Sequence, residues 1–283
     1  MITLATVAAD LDRLRPFPSA GHKLMQAVVN PHSNLDETVQ AIEYDPVLTA
    51  AVLKLANSAY YAPPAPIDTV RDSVMRLGGG RILQFVVGQF THGSLDIPCA
   101  GYDLAEHELW RHSIAAAAAV DQLPRLTTIS VPAAAFTGAL LHDIGKIILS
   151  RYLTTAVKQQ ILDTAEAEQL PYVEAERKVL GFDHAQVGGV MGKRWGFPEI
   201  LVECIQRHHD PRGDSAHGVA LDAVHVGNAV AKTLGVGLGS EGLNLRAVSA
   251  AADALKLTPT KLEALCAATA DQLDTIVSLY EEV

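Results

Sequence analysis

A histidine and an aspartate lie side by side in the apolar segment 140–148, at His142 and Asp143. Burying two ionisable side chains in such a segment costs free energy unless a partner compensates them. A divalent metal ion would compensate both, because neutral imidazole and carboxylate are good ligands. The alternative is a hydrogen-bonded His–Asp pair in a helical core, without metal. The metal hypothesis therefore depends on further ligands elsewhere in the chain.

Other histidines fall at positions that predicted helices would turn toward a common interior. One lies in the middle of a predicted helix, one at the start of another and two at the end of a third. The candidate metal ligands are His112, His142, Asp143, His184, His208 and His209, and we predict that a single cavity collects the first four with at least one of His208 and His209. A lone histidine on an apolar helix is more often a core residue, and we expect that of His22, His32, His92, His107 and His217.

Helix-start signals recur along the chain and would position these residues. Asp103 with Glu106 predicts the start of the helix that carries His112, and Pro132 the start of the helix that carries His142 and Asp143. Similar signals, a cap or a first-turn proline, occur at Asn34, Asp45–Pro46, Asp183 and Pro198. Aromatic residues make up only 5% of the chain, and alternating strand patterns are scarce. The sequence therefore predicts an all-α fold.

Composition narrows the classes of function. The chain has 283 residues and a formal net charge of −10, which argues against broad nucleic-acid binding. Its three widely spaced cysteines indicate neither a zinc motif nor a disulfide framework, so we expect a cytoplasmic protein. The N-terminal segment lacks a signal-peptide pattern, and the alanine-rich run 114–120 is too short to span a membrane. No membrane partner is expected.

Several segments resemble a known family. Residues 141–146 (LHDIGK) look like the defining motif of the HD superfamily of metal-dependent phosphohydrolases. The chain as a whole is more similar to the HDOD (HD-related output domain) family of bacterial signalling proteins. The segments that carry this resemblance are 14–18 (LRPFP), 55–61 (LANSAYY), 70–83, 109–113 (LWRHS) and 181–198. The resemblance implies an N-terminal subdomain of short helices (1–98), an HD-like helical subdomain (99–235) and a C-terminal helical tail (236–283).

The resemblance also implies roles for individual residues. The six candidate ligands would hold a divalent metal, with Fe, Mn, Zn, Ni and Mg all left open, and Lys146 would contact phosphate as a point charge. The last expected ligand is an aspartate, but this chain has Asn228 at that place. An amide oxygen is a weaker ligand than a carboxylate, so we expect weaker metal binding. Asp222 is off the face of Asn228, whereas His225 lies one helical turn before it.

Two functions remain open on this basis. The first is a non-catalytic signal-transduction module that binds signalling proteins or a small nucleotide-like ligand, as HDOD proteins are usually interpreted. The second is a metal-dependent phosphohydrolase or phosphodiesterase acting on a nucleotide, in which the metal lowers the pKa of bound water. The Gly-Tyr-Pro element of the cyclic di-GMP phosphodiesterases is missing after His208 and His209. The sequence favours the first function and does not support cyclic di-GMP as a substrate.

Overall fold

The chain folds into helices, and the all-α prediction is confirmed. The computed structural model describes residues 2–10, 19–30, 34–61, 63–95, 98–211, 213–243 and 248–282, and no β-strand occurs within these ranges. The motif at 14–18 and His32 lie outside the described residues, as does the side chain of His92. No helix in this part of the chain combines the length and apolarity needed to cross a membrane.

The first part of the chain consists of six helices of short to moderate length. They are α1 (Leu4–Ala9), α2 (Ser19–Val29), α3 (Leu35–Glu43), α4 (Pro46–Ala56), α5 (Val70–Leu77) and α6 (Gly79–Leu95). The predicted caps Asn34 and Asp45 are confirmed, since their side chains accept hydrogen bonds from the first-turn amides of α3 and α4. Gly78 ends α5 with a φ of 79°, a conformation that glycine adopts without steric cost.

The histidine-rich part is built around α7 (Glu108–Leu126). Its alanine-rich run is fully buried, and α8, α14 and α16 pack along this helix. The small alanine side chains let these helices approach closely. The remaining helices are α8 (Ala134–Leu141), α9 (Gly145–Leu149), α10 (Thr155–Glu168), α11 (Tyr172–Leu180), α12 (His184–Arg194), α13 (Glu199–Arg207), α14 (Gly218–Thr233), α15 (Val248–Ala254) and α16 (Pro259–Glu282). Short 3-10 turns occur at Ala100–Tyr102 and Gly239–Glu241.

Two expected helix boundaries are wrong. Asp103 does not cap α7, because it has a φ of 54° after the first 3-10 turn and its side chain pairs with Lys158. The helix after Pro132 ends at Leu141, so His142 and Asp143 lie in the turn between α8 and α9 rather than inside a helix. Tertiary contacts of these side chains override the local pattern in both places.

A glycine sets the closest approach between two site-bearing helices. A Cβ added to Gly145 would lie 1.9 Å from the His184 carbonyl oxygen and 2.6 Å from the Gly188 amide nitrogen. Only glycine lets the backbones of α9 and α12 meet at this distance. The contact brings the turn that carries Asp143 against the start of α12, where Asp183 forms the expected cap, here a full capping box with Gln186.

Candidate metal centre

The carboxylate of Asp143 lies at the centre of a cluster of histidines. Its Oδ2 atom is 3.2 Å from His142 Nε2 and 3.6 Å from His112 Nε2. Its Oδ1 atom is 3.4 Å from His184 Nε2 and 3.5 Å from His208 Nε2. The side chains of all five residues are at most 1% exposed. Two helices and two turns thus deliver four imidazoles to a single carboxylate.

His209 extends the cluster, with its Nε2 atom 2.9 Å from His184 Nε2. The described residues contain two groups with metal-ligand spacing, Asp143 with His184, His208 and His209, and Asp143 with His112 and His142. Two ligands on one ion at bond lengths of about 2.0–2.1 Å are about 3.0–3.4 Å apart. The observed separations are close to this range, and the shared carboxylate of Asp143 links the two groups.

Four of the rings are oriented by their second nitrogen. Each donates a hydrogen bond from Nδ1 to a fixed acceptor and so presents Nε2 to Asp143. The acceptors are the Val236 carbonyl for His112, the Ala139 carbonyl for His142, the Glu176 carboxylate for His184 and the Ile205 carbonyl for His208, at 2.7–2.8 Å. Metal-bound histidines are held in this way, because the outer hydrogen bond sets both tautomer and ring direction.

The donor set fits a metal ion. Three buried atoms, His142 Nε2, Asp143 Oδ1 and His208 Nε2, have no hydrogen-bond partner within the described part of the chain. Unsatisfied buried polar groups are rare and costly in folded proteins. Metal coordination at the two groups that share Asp143 would satisfy these atoms.

The pKa shifts in the cluster favour the protonation states that metal binding requires, which are neutral imidazoles and an ionised carboxylate. Burial lowers the pKa of His112 to about 3 and that of His208 to about 4, so both rings are neutral at pH 7. Burial opposes ionisation of Asp143, but the nearby His142 and Lys146 outweigh it and hold its pKa well below the usual value. His184 differs, because Glu176 outweighs burial and raises its pKa. A metal ion would therefore compete with a proton at His184.

Sequence reasoning missed an ion-pair network beside the cluster. Lys146 Nζ lies 2.7 Å from Asp143 Oδ2 and also 2.7 Å from Glu241 Oε1. Glu241 Oε2 lies 2.7 Å from Lys232 Nζ. Lys232 carried a weak signal, as a lone lysine in the apolar helix α14, but Glu241 sits in a glycine-rich loop without any motif.

The α14 residues Asn228, His225 and Asp222 have different positions relative to the cluster. Asn228 lies at the cluster, with Oδ1 3.1 Å from His112 Nε2. His225 donates from Nδ1 to the His208 carbonyl at 2.6 Å and so supports the backbone of a candidate ligand. Asp222 is partly exposed and belongs to neither metal-type group.

A groove opens onto one side of the cluster. Its volume is about 670 Å³, and His209, Asn228 and Lys232 form part of its wall. Arg177 and Lys178 contribute further positive charge to the lining, against the carboxylates of Glu174 and Asp210. The groove therefore gives a small molecule access to the edge of an otherwise buried site.

Comparison with known proteins identifies the family. The HDOD domain matches residues 14–211 of this chain. The chain belongs to the HDOD family. The structure brings all six candidate ligands of this HDOD domain together, and their role as metal ligands stays a prediction.

Two proteins that are similar to this chain share 23–24% of their aligned residues with it. An uncharacterised protein of Treponema pallidum (strain Nichols) is 24% identical over 212 residues, which cover 73% of the chain and 39% of that protein. A crystal structure from Marinobacter aquaeolei VT8, named for a role in signal transduction, superposes with a TM-score of 0.73 at 23% identity, over 99% of this chain and 61% of that one. This chain thus covers less than two thirds of the length of each of these two relatives.

A third match has a different kind of name. A Shewanella amazonensis SB2B structure, whose name suggests a phosphohydrolase, superposes with a TM-score of 0.65 at 23% identity, over 98% of this chain and 97% of that one. At such identities the likeness establishes the shared fold.

Proposed function

We propose that this chain is a regulatory module of bacterial signal transduction that binds a divalent metal at the His–Asp cluster and senses a small phosphate-bearing ligand there without hydrolysing it. The observation that carries the proposal is the set of four Nδ1-tethered imidazoles that present Nε2 to Asp143. A core His–Asp pair needs one such tether, whereas four converging on one carboxylate match the needs of a metal site. The signal-transduction name of the Marinobacter structure agrees with this role.

The ligand set indicates which metals to expect. Imidazole nitrogen dominates, and imidazole suits Fe, Zn and Ni better than it suits Mg, which prefers oxygen ligands. When bound, such an ion supplies a positive centre for phosphate oxygens and lowers the pKa of water. The chain's own residues supply the rest, since Lys146 and Lys232 add two ammonium groups and the groove admits a ligand of nucleotide size.

Two features favour binding over turnover. The resemblance to the HD phosphohydrolases implies an aspartate where this chain has Asn228, so the cluster would have one negative charge fewer than theirs. Lys146, the expected phosphate contact, is already neutralised by Asp143 and Glu241 and is only 3% exposed. A catalytic site needs preorganised charges directed at the reacting group, and here they are directed at protein carboxylates.

A phosphohydrolase is the second candidate function. It is favoured by the unsatisfied ligand atoms on His142, Asp143 and His208, which leave open coordination capacity next to a lysine. The name of the Shewanella structure agrees with it. In that case His142→Ala would abolish a hydrolysis that depends on added Mn²⁺ or Fe²⁺.

The test uses untagged protein stripped with EDTA. Calorimetric titration with Mn²⁺ and Zn²⁺ is expected to show binding that Asp143→Asn abolishes and that Asp222→Asn, the same substitution outside the cluster, leaves unchanged. Bis-p-nitrophenyl phosphate is then offered to the metal-loaded protein, and no hydrolysis sensitive to His142→Ala is expected. Absence of metal binding would overturn the metal part of the proposal. Metal-dependent hydrolysis would replace the regulatory function with the enzymatic one.

A further inference from the structure

Two buried lysines face one carboxylate at the edge of the candidate metal centre. The oxygens of Glu241 lie 2.7 Å from Lys146 Nζ and 2.7 Å from Lys232 Nζ, and the three side chains are only 3–5% exposed. The same carboxylate is 3.7 Å from His184 Nε2. Two ammonium groups and an imidazole thus surround a single anionic group.

The cations and the anion come from different kinds of structure. Lys146 lies on α9 and Lys232 on α14, both packed into the helical core. Glu241 lies in a 3-10 turn of the loop 235–243, which contains four glycines with positive φ. The cations are therefore fixed by the fold, whereas the anion is delivered by a segment that can move without disturbing a helix.

The loop is seated by backbone contacts at its glycines. A Cβ on Gly237 would lie 2.7 Å from the Glu108 carbonyl oxygen, and one on Gly239 would lie 2.2 Å from the Tyr102 carbonyl oxygen. Within the 3-10 turn Gly239–Glu241, the Glu241 side chain is only 4% exposed. The loop is also held by hydrogen bonds from His112 to the Val236 carbonyl and from Ser240 to Asp103, and Glu241 supplies its ion pairs to the site.

The site can be reached from solvent along the groove. Lys232 forms part of the groove wall and also pairs with Glu241. Arg177 and Lys178 lie on the same wall, so a negatively charged ligand is attracted toward Lys232. An anion that travels this path meets the Glu241 carboxylate as its direct competitor.

We propose that Lys146 and Lys232 form a binding site for a phosphate group, that Glu241 is its internal occupant, and that a phosphate-bearing ligand displaces Glu241 together with residues 239–243, while the Val236 carbonyl keeps its hydrogen bond from His112. This inference deepens the proposed function and rests on it for the identity of the site. A phosphate carries up to two negative charges and three free oxygens, so it matches two ammonium groups better than one carboxylate does. Release of the loop converts ligand binding into a change of molecular surface, which a signalling partner can read.

The first pair of variants changes the backbone packing of the loop and leaves Lys146, Lys232 and Glu241 unchanged. Gly239→Ala places a methyl group against the Tyr102 carbonyl, whereas Gly235→Ala has a comparable positive φ of 75° but nothing within 4 Å. Both variants are titrated with inorganic phosphate in EDTA, by calorimetry. We expect Gly239→Ala to bind phosphate at least about tenfold more tightly than both the wild type and Gly235→Ala, a difference of about 1.4 kcal/mol.

A second pair of variants tests the charges. Glu241→Gln is expected to give a similar gain in phosphate affinity, and Lys232→Met in that background should remove the gain. In the wild type, saturating phosphate should speed amide hydrogen exchange in 239–243 and leave α7 unchanged. Phosphate affinities within twofold of the wild type for both Gly239→Ala and Glu241→Gln, or loop exchange that phosphate leaves unaltered, would overturn the proposal.

Metal titration separates this inference from the proposed function. If Gly239→Ala raises phosphate affinity but the protein binds no metal, the displacement of Glu241 is supported and the metal centre is refuted. If the protein binds metal through Asp143 but the variants show no gain in phosphate affinity, the metal centre is supported and the displacement of Glu241 is refuted.

Discussion

Replacing Asn228 by aspartate is expected to move metal affinity and metal-free stability in opposite directions. Asn228 is 5% exposed, and its Oδ1 lies 3.1 Å from His112 Nε2, which in turn is 3.6 Å from Asp143 Oδ2. The substitution therefore adds a carboxylate directly beside the nitrogen that would bind the ion. Two unit charges about 4 Å apart interact by about 4 kcal/mol at an effective dielectric of 20.

Only part of that energy will appear as affinity. The new carboxylate must lose its hydration, and Asp143 already neutralises part of the ion's charge. We expect a net gain of about 10- to 100-fold in metal affinity, or about 1.4–2.8 kcal/mol. Without metal the added buried charge lacks a full partner, and the loss of stability is expected to approach about 3 kcal/mol, with protonation of His112 offsetting part of the cost.

The assay compares unfolding in EDTA with unfolding in excess Mn²⁺. Asn228→Asp should lower the urea midpoint in EDTA and increase the rise in midpoint that Mn²⁺ produces. The untagged variant should also retain more metal than the wild type after purification. Asn30→Asp, the same change at an exposed position, is the control and should leave the stabilisation by Mn²⁺ unchanged. Metal affinity that stays within twofold of the wild type would show that position 228 does not contribute to the site, and the reasoning would fail.

Two further predictions concern packing and pH. Gly145→Ala should destabilise the protein by at least about 1–3 kcal/mol in urea unfolding, because its Cβ would lie 1.9 Å from the His184 carbonyl, whereas Gly218→Ala, with nothing within 4 Å, should change little; equal effects would contradict the close approach of α9 and α12. Burial lowers the pKa of His112 to about 3 and of His208 to about 4, so the unfolded chain takes up protons first. Stability of the metal-free protein should therefore fall as pH drops from about 6.5 toward 4, partly offset by His184, whose pKa is raised. Urea unfolding at pH 7.5 and pH 5 measures this, and an unchanged or higher midpoint at pH 5 would be inconsistent with neutral buried rings.

Local sequence signals predicted the helices well where the cap is a short-range interaction. Asn34, Asp45 and Asp183 each accept from an amide two or three residues ahead, and the helices begin there as expected. The Asp103 signal failed because a chain reversal after the preceding 3-10 turn places this side chain against a distant lysine. A cap can be predicted when its partner is a neighbour in sequence, and not when a tertiary contact competes for it.

His142 and Asp143 could also be named in advance, since they are too costly to bury in an apolar segment without partners, and the other candidates followed from the predicted helices and the family resemblance. What the sequence by itself determined is the all-α fold, most helix starts and the identity of the six candidate ligands. Only the tertiary structure decided that each ring is tethered by Nδ1, that Asp143 joins two ligand groups, and that Glu241 pairs with Lys146, 95 positions earlier in the chain. Such contacts arise because helix packing brings together residues that are far apart in sequence, and the local sequence around each residue does not indicate its partner.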